Sequence, residues 1–235
     1  YEQCHYLEIP HSSKLIIEHY MEKSTYYSIF HSLYGKRVND VLSRAIAFVV
    51  SKLEHKDVEI GITDTGFYLA SDKQINALRA LKSVKSNEIK ELMSLAIDQT
   101  EILRRRFRHC AARALMILRS YKGKTKNVGR QQVSSMLLLN AVKRISNNFP
   151  ILKEARREVL EDLMDIGNAE NVLKLIETKD IEIKEFSILI PSPFAFNIVM
   201  QGHLDLLRAD DKIEFLKRLH NQILAKIALK NRPDR

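Results

Sequence analysis

The hydrophobic pattern of this chain changes its period once, near Asp72, and no other feature constrains the fold as strongly. Upstream, four runs rich in β-branched and aromatic residues are typical of strands, and one stretch with apolar residues three and four apart is typical of a helix. In chain order these segments are Lys14–Met21, Ser24–His31, Val38–Leu53 (the helix), Val58–Thr63 and Gly66–Ala70. Downstream, helical spacing dominates. The sequence therefore predicts an α+β fold, in which a small β-β-α-β-β sheet layer precedes a mostly α-helical bundle.

One strand-like segment, residues 181–190, stands alone within the helical part. Its apolar positions are Ile181, Ile183, Phe186, Ile188 and Ile190. A single strand is not stable by itself, so we expect it to return to the N-terminal sheet and join the two halves. Glu185–Ser187 departs from strict alternation, which suggests a bulge. The predicted division is a sheet subdomain of residues 1–72 and a mainly helical subdomain of residues 73–235 that contributes the late strand.

The composition indicates an ordered, intracellular protein. Its apolar fraction is 45%, with seven Gly and five Pro, which is typical of a globular chain. Cys4 and Cys110 are too few and too far apart for a disulfide framework, so we expect a reducing, cytoplasmic location. No apolar run approaches the roughly 18 to 20 residues of a membrane span, and residues 1–10 do not resemble a signal peptide. Because the chain does not begin with Met, we expect it to be part of a longer protein.

Charge is distributed very unevenly along the chain. The window Ile102–Lys153 holds 13 of the 38 Lys and Arg and none of the 29 Asp and Glu. The other residues therefore have 25 basic and 29 acidic side chains, a net charge of −4, although the whole chain is +9. A stretch of one sign this long requires a polyanion, an acidic partner elsewhere in the fold, or an acidic partner protein.

Within this window, a basic helix and a basic loop are candidates for contact with nucleic acid. Three arginines on one predicted helix face lead into the loop KGKTKNVG, and a tyrosine lies at the junction. Such cations neutralise phosphates, and a tyrosine can stack on a base. The predicted nucleic-acid-binding residues are Arg104, Arg105, Arg108, Arg119, Tyr121, Lys122, Lys124, Lys126 and Arg130. Two alternatives stay open: some of these arginines pair with acids, for example in Glu154–Asp165, or the face is simply solvated.

The GKT sequence at Gly123–Thr125 resembles the end of a phosphate-binding Walker A loop. That motif requires a glycine five residues before its GK glycine, and Leu118 occupies this position. The motif must also follow a strand, whereas this loop follows a predicted helix. We therefore predict no nucleotide site in this chain.

The sequence also lacks a recognisable catalytic or metal-binding pattern. The pairs Cys4–His5 and His109–Cys110 do not have the spacing of a zinc site. In the acidic run Glu154–Asp165, Arg156 and Arg157 interleave with the carboxylates, which is typical of a salt-bridged surface helix. No histidine lies near a Ser and Asp constellation. We predict no catalytic residue, no metal and no cofactor within this chain.

Five segments of the sequence resemble the C-terminal region of Lhr-type (large helicase-related) superfamily 2 helicases, and they are most similar to the archaeal branch. They are His31–Asp40 (HSLYGKRVND), Asp64–Leu69 (DTGFYL), Phe107–Gln132 (FRHCAARALMILRSYKGKTKNVGRQQ), Arg157–Asp165 (REVLEDLMD) and Pro191–Phe196 (PSPFAF). The resemblance implies two RecA-like motor domains and a winged helix upstream of this helicase-associated region. It also implies ATP-driven 3′-to-5′ movement along a single strand and unwinding of duplexes, including RNA–DNA hybrids.

The resemblance assigns this chain an accessory role, because the motor is absent from it. ATP and Mg²⁺ would bind in the missing motor domains, and the chain alone would not be an enzyme. The expected partners are single-stranded DNA or RNA, or an RNA–DNA hybrid, together with the motor and winged-helix domains of the same parent; no membrane is expected. The alternative is a structural docking domain that packs on those domains with little direct contact to nucleic acid.

Overall fold

The computed structural model describes residues 2–118, 120–121, 124–125, 127–203 and 209–230. The chain forms two compact units: Tyr1–Asn87 with Asn168–Arg235, and Glu88–Gly167. This differs from the predicted division at residues 72 and 73, because the late strand brings the helices around it into the unit that contains the sheet.

The described elements follow the predicted order closely. The N-terminal part contains α1 (Glu2–Tyr6), β1 (Lys14–Glu22), β2 (Thr25–His31), α2 (Lys36–Glu54), β3 (Glu59–Ile62), β4 (Gly66–Ser71) and α3 (Ala77–Ser83). The middle part contains α4 (Ile89–Ile97), α5 (Glu101–Arg113), β5 (Ser120–Tyr121), β6 (Lys124–Thr125), α6 (Val128–Ile145), α7 (Pro150–Arg157) and a π-helical turn (Glu158–Leu163). The C-terminal part contains α8 (Ile166–Glu177), β7 (Glu182–Ser187), a 3₁₀ turn (Pro193–Ala195), α9 (Phe196–His203) and α10 (Ala209–Lys230). The predicted α+β fold is confirmed.

The first unit is built on a five-stranded mixed sheet with the order β3-β4-β2-β1-β7. β7 pairs in parallel with β1, whereas the other neighbours are antiparallel, so the predicted return of the late strand is confirmed. The pairing runs without interruption from Lys14 opposite Glu182 to His19 opposite Ser187. The suggested bulge is therefore wrong. β7 is an edge strand whose residues are exposed or half-buried, so its sequence need not alternate strictly.

Both faces of this sheet are covered. On one face Tyr20, Ile29 and Tyr68 pack with Ile198 of α9. The opposite face carries the stacked rings of Phe30 and Phe67, 4.5 Å between centroids. α2, which buries ten of its residues, also packs against β3 and β4. Burial of this kind contributes about 25 cal/mol per Å² of apolar area and is the main force holding the unit together.

Two buried polar clusters connect the segments around the sheet. Glu18 is fully buried; its carboxylate bonds to His31 Nε2 at 2.6 Å and accepts the Ser192 N–H at 3.0 Å. The Asn39 side chain, also buried, donates to the carbonyls of Ser32 and Thr63 at 2.9 and 3.0 Å. Since unpartnered buried polar groups are costly, these contacts fix the relative placement of β1, the start of α2 and the turn before α9.

The second unit is a helical bundle in which α5 contacts α6, α7 and the π-helical turn. The core of α5 is formed by Leu103, Phe107, Cys110 and Ala111. Apolar residues recur at helical spacing from Ile89 to Leu118, which predicts one continuous stripe. The structure interrupts this stripe in two places. The chain breaks after α4, where Thr100 caps α5, and α5 ends at Arg113. No helix among the described residues is long and apolar enough to cross a membrane.

Candidate nucleic-acid interface

The arginines of α5 lie on both sides of its buried stripe. Successive helical residues are about 100° apart, so Arg104 and Arg108 fall on one side. Arg106 and Arg113 fall on the other side, and Arg105 lies almost opposite the buried residues. The predicted face of Arg104, Arg105 and Arg108 therefore spans about 100°, and its residues line two concavities of the second unit.

The first surface is a groove between α5 and α6, which we call the α5–α6 groove. It has a volume of about 230 Å³. Its lining residues are Glu101, Arg104, Arg108, Gln132, Val133, Ser135, Met136 and Leu139. The Arg104 side chain is 48% exposed, and its ion pair with Glu101 is long, at 3.9 Å. Exposed pairs of this kind contribute little, so the guanidinium of Arg104 is available to an external anion.

The second surface, which we call the arginine cleft, lies between α5 and the π-helical turn. It has a volume of about 470 Å³. Its lining residues are Ile102, Arg105, Arg106, His109, Arg113 and Leu163. Three arginines thus converge on one concavity without a carboxylate in its lining. The Arg105 side chain is 70% exposed.

A buried carboxylate, Glu158, anchors two arginines of this cleft. It accepts from Arg106 Nη1 at 3.2 Å on one oxygen and from Arg113 Nη2 on the other. The Glu158 side chain is only 5% exposed. Burial alone would raise the pKa of this carboxyl, but the hydrogen bond and charge of Arg113 and the charge of Arg106 outweigh it, so its pKa lies below the usual value. Two arginines of the basic window that are not among the nine predicted contacts thus pair with an acid of Glu154–Asp165.

A second carboxylate, Asp98, lies just after α4 and forms ion pairs with two basic side chains. Lys143 Nζ donates to Asp98 Oδ2 at 2.8 Å, and Arg156 Nη2 donates to Oδ1 at 2.6 Å. Burial alone would raise the pKa of Asp98, but the hydrogen bonds from Arg156 and Lys143 together outweigh it, so the pKa lies below its usual value. Asp98 thus connects α4, α6 and α7, and Lys143 of the basic window has a structural role.

The exposed part of the acidic run is a salt-bridged surface, as predicted. Arg157 contacts Glu154 at 2.8 Å, Glu161 at 3.5 Å and Asp162 at 3.7 Å. The hydrogen bond from Arg157 lowers the pKa of Glu154. Glu154, Glu161 and Asp162 thus pair with Arg157 at the surface, whereas the side chain of Glu158 is buried.

The structure describes only part of the predicted binding set. Arg104, Arg105 and Arg130 are exposed, and Arg108 is half-buried. Tyr121 and Lys124 belong to the short β5–β6 hairpin, whose side chains are not described. Arg119, Lys122 and Lys126 lie outside the described residues. The assignment of all nine residues to nucleic-acid contact stays a prediction.

Sequence reasoning missed the arginine cleft. Its residues Ile102, Arg106, His109 and Arg113 recur at intervals of three and four, which would have placed them on one face. The sequence does not show that this face of α5 packs beside Glu158, because the contact joins residues 45 and 52 positions apart.

The described residues offer no evident metal centre: they contain no group of three or more His, Cys, Asp or Glu that could hold an ion. Cys110 is buried beside Arg113, whose Nη2 donates to its sulfur at 3.3 Å, and burial raises the pKa of the thiol. This cysteine is part of the core of α5, as its position on the apolar stripe suggests.

The family of the chain follows from its sequence matches. Residues 9–195 match the family model described as DEAD/H associated. The chain belongs to this family. It is 48% identical over 96% of its length to the ATP-dependent helicase Lhr-Core of Methanothermobacter thermautotrophicus, and 40% identical over 92% to the Lhr-Core of Saccharolobus solfataricus. It spans only 26% and 25% of these two relatives.

The fold also has a solved counterpart. The structure of Mycobacterium smegmatis helicase Lhr bound to single-stranded DNA and AMP-PNP matches 84% of this chain with a TM-score of 0.74 and 26% identity. The match covers 25% of that protein. The 235-residue chain therefore matches about a quarter of the length of each of these three helicases.

Proposed function

We propose that this DEAD/H-associated chain is the nucleic-acid-binding accessory domain of an ATP-dependent 3′-to-5′ helicase that acts on DNA or RNA. The observation that carries the proposal is the exposed guanidinium of Arg104 beside Arg108 in the α5–α6 groove, with Arg105 and Arg130 exposed on the same unit. The relatives named as helicases, and the counterpart bound to single-stranded DNA, support this assignment.

In this proposal the basic groups hold backbone phosphates and do not read sequence. Phosphate contacts position a strand, whereas sequence is read at base edges. The lining of the groove includes Val133 and Met136, exposed apolar side chains that can pack against sugars and bases. ATP and Mg²⁺ belong to motor domains elsewhere in the parent, and this chain contributes no catalytic residue.

The proposal is tested by titrating a fluorescent single-stranded oligonucleotide with the 235-residue chain at several salt concentrations. If about five phosphates are neutralised, the log–log slope of affinity against salt is roughly −3.5. Arg104→Gln with Arg108→Gln should make the slope shallower by roughly 1.4, because two contacts are lost. Lys174→Gln with Lys184→Gln is the matched control, since it also removes two charges and both lysines already pair with carboxylates in the other unit.

A slope near zero for the unsubstituted chain would contradict the proposal. So would an equal effect of the control and the arginine variant, because the binding would then depend only on net charge.

A second candidate function is a docking domain that packs on the motor or winged-helix domains of the parent. Large apolar side chains on the outside of the second unit favour it: Val133 is 56% exposed, Leu137 62% and Leu115 74%. Val133→Ser with Leu137→Ser would then weaken association with the remainder of the parent supplied in trans, and leave strand affinity unchanged. The opposite pattern, weakened strand binding with intact association, would exclude this candidate.

A further inference from the structure

The arginine cleft has the features of a prearranged anion site. Arg105, Arg106 and Arg113 surround one concavity, and Glu158 compensates only one of these three charges. Other acids of the adjacent segment, Glu161 and Asp162, contact Arg157. The cleft therefore keeps a net positive charge close to a low-dielectric core.

The buried carboxylate of Glu158 orients the guanidinium groups of Arg106 and Arg113 that line the cleft. An arginine has five N–H donors, and the hydrogen bonds to Glu158 use one from Arg106 and one from Arg113. The anchored guanidiniums lose less side-chain entropy when they bind than free ones do, and several of their donors stay available to an anion. Arg105 has only a surface contact with Glu101, at 3.5 Å.

The chemistry of such a site is that of phosphate. Planar, fixed guanidiniums bind the oxygens of phosphate in a bidentate manner, and a phosphate has enough oxygens to contact all three arginines of the cleft. We infer that the arginine cleft, held in shape by the buried Glu158, is a phosphate-binding site. Its ligand is a phosphate of a nucleic-acid strand, either an internal phosphodiester or a terminal phosphomonoester.

This inference rests on the proposed function only for the source of the phosphate. The residues involved differ from those of the α5–α6 groove, so the two can fail separately. Arg106, His109 and Arg113 were not among the sequence-predicted contacts.

The test follows the arginine Nε–Hε signals of the 235-residue chain by NMR while inorganic phosphate is added. We expect saturable shifts that include Arg105 and Arg113. Arg105→Gln with Arg113→Gln should weaken phosphate binding about tenfold, since charge-assisted hydrogen bonds are lost. Arg144→Gln with Lys153→Gln is the matched control: it removes the same charge from exposed positions of the same unit and should change phosphate affinity less than about twofold.

Because Arg113→Gln removes a partner of buried Glu158, Arg105→Gln alone is a second variant that leaves this carboxylate paired. It should weaken phosphate binding about threefold, with an unchanged melting temperature. Absence of saturable binding, equal losses in the cleft and control variants, or unchanged binding in Arg105→Gln would each overturn the inference.

Oligonucleotides with a 5′-phosphate or a 5′-hydroxyl then distinguish the two sources. Tighter binding of the phosphorylated strand that disappears in the cleft variants assigns the site to a terminal phosphomonoester. Equal binding of the two strands that weakens in the cleft variants assigns it to an internal phosphodiester. If the cleft variants bind both strands normally, the inference fails, while the salt slope of the groove variant still tests the proposed function.

Discussion

Replacement of Asp98 by Asn tests whether the second unit depends on an internal ion-pair cluster. The side chain is 27% exposed and accepts from Lys143 at 2.8 Å and from Arg156 at 2.6 Å. Lys143 Nζ also donates to the Asp98 carbonyl at 2.8 Å. Asn preserves the shape but removes the charge, and it places an amide donor opposite a cation. One hydrogen bond is lost, and the other becomes a neutral-acceptor bond.

The magnitude follows from these contacts. A hydrogen bond to a charged group contributes about 1.5–3 kcal/mol when it is shielded from water. Partial exposure of Asp98 reduces this, since exposed ion pairs contribute about 0–1 kcal/mol. We therefore expect Asp98→Asn to lower the free energy of unfolding by about 1–3 kcal/mol at pH 7. Asp162→Asn, at a carboxylate that is 55% exposed and 3.7 Å from Arg157, is the matched control and should cost less than about 0.5 kcal/mol.

The pH dependence gives an independent check. Because the folded-state pKa of Asp98 lies below its ordinary value of 3.8, the carboxylate stabilises the fold fully above that value. The stabilisation is lost as the pH falls through the lower folded-state pKa. The difference between the original chain and Asp98→Asn should therefore be constant near neutral pH and shrink below about pH 4.

Urea denaturation followed by circular dichroism measures this difference, since the chain has no Trp to report on unfolding. An Asp98→Asn variant as stable as the original at pH 7 would refute the reasoning. So would a difference that grows as the pH falls.

Three further substitutions test other parts of the fold, each by urea denaturation. Glu18→Ala should cost about 3–5 kcal/mol, because it leaves buried His31 without its partner; a cost under 1 kcal/mol would contradict this. Gly66→Ala should cost more than about 2 kcal/mol, since the new Cβ would overlap the Phe30 carbonyl oxygen, and unchanged stability would show that the strands can separate freely. Leu115→Gly should stabilise by about 1 kcal/mol, because Leu115 is exposed with φ of 57° after the last turn of α5; destabilisation would mean that its side chain matters more than its backbone strain.

The strands of the sheet were predictable from sequence because each is a short run of strand-forming residues bounded by turn residues. The turn at Glu22 and Lys23 separates two aromatic-rich strands, and the late strand at residues 181–190 had no partner among its neighbours. Its return was thus required by hydrogen bonding alone. The order of strands within the sheet did not follow from this argument, since any strand with a free edge could have accepted it.

The helical bundle was less predictable because its apolar spacing continues across a break. The stripe passes from Ala96 to Leu103, a helical interval of seven residues, although the chain ends one helix at Ile97 and caps the next at Thr100. Similarly, Leu115 continues the helical spacing but lies in a left-handed conformation and is 74% exposed. Tertiary packing decided both positions, and neither Gly nor Pro marks them.

Two of the segments that resemble Lhr-type helicases meet in the second unit, at the contact between Arg113 and Glu158. Arg113 belongs to Phe107–Gln132, and Glu158 belongs to Arg157–Asp165. The charge of α5 is therefore divided. The arginines that reach Glu158 hold the π-helical turn against the helix and shape the cleft, whereas Arg104 projects into a groove without such an anchor. A variant of Arg106 should consequently change both the stability of the fold and phosphate binding in the cleft. A variant of Arg104 should change strand binding in the groove and leave stability unchanged.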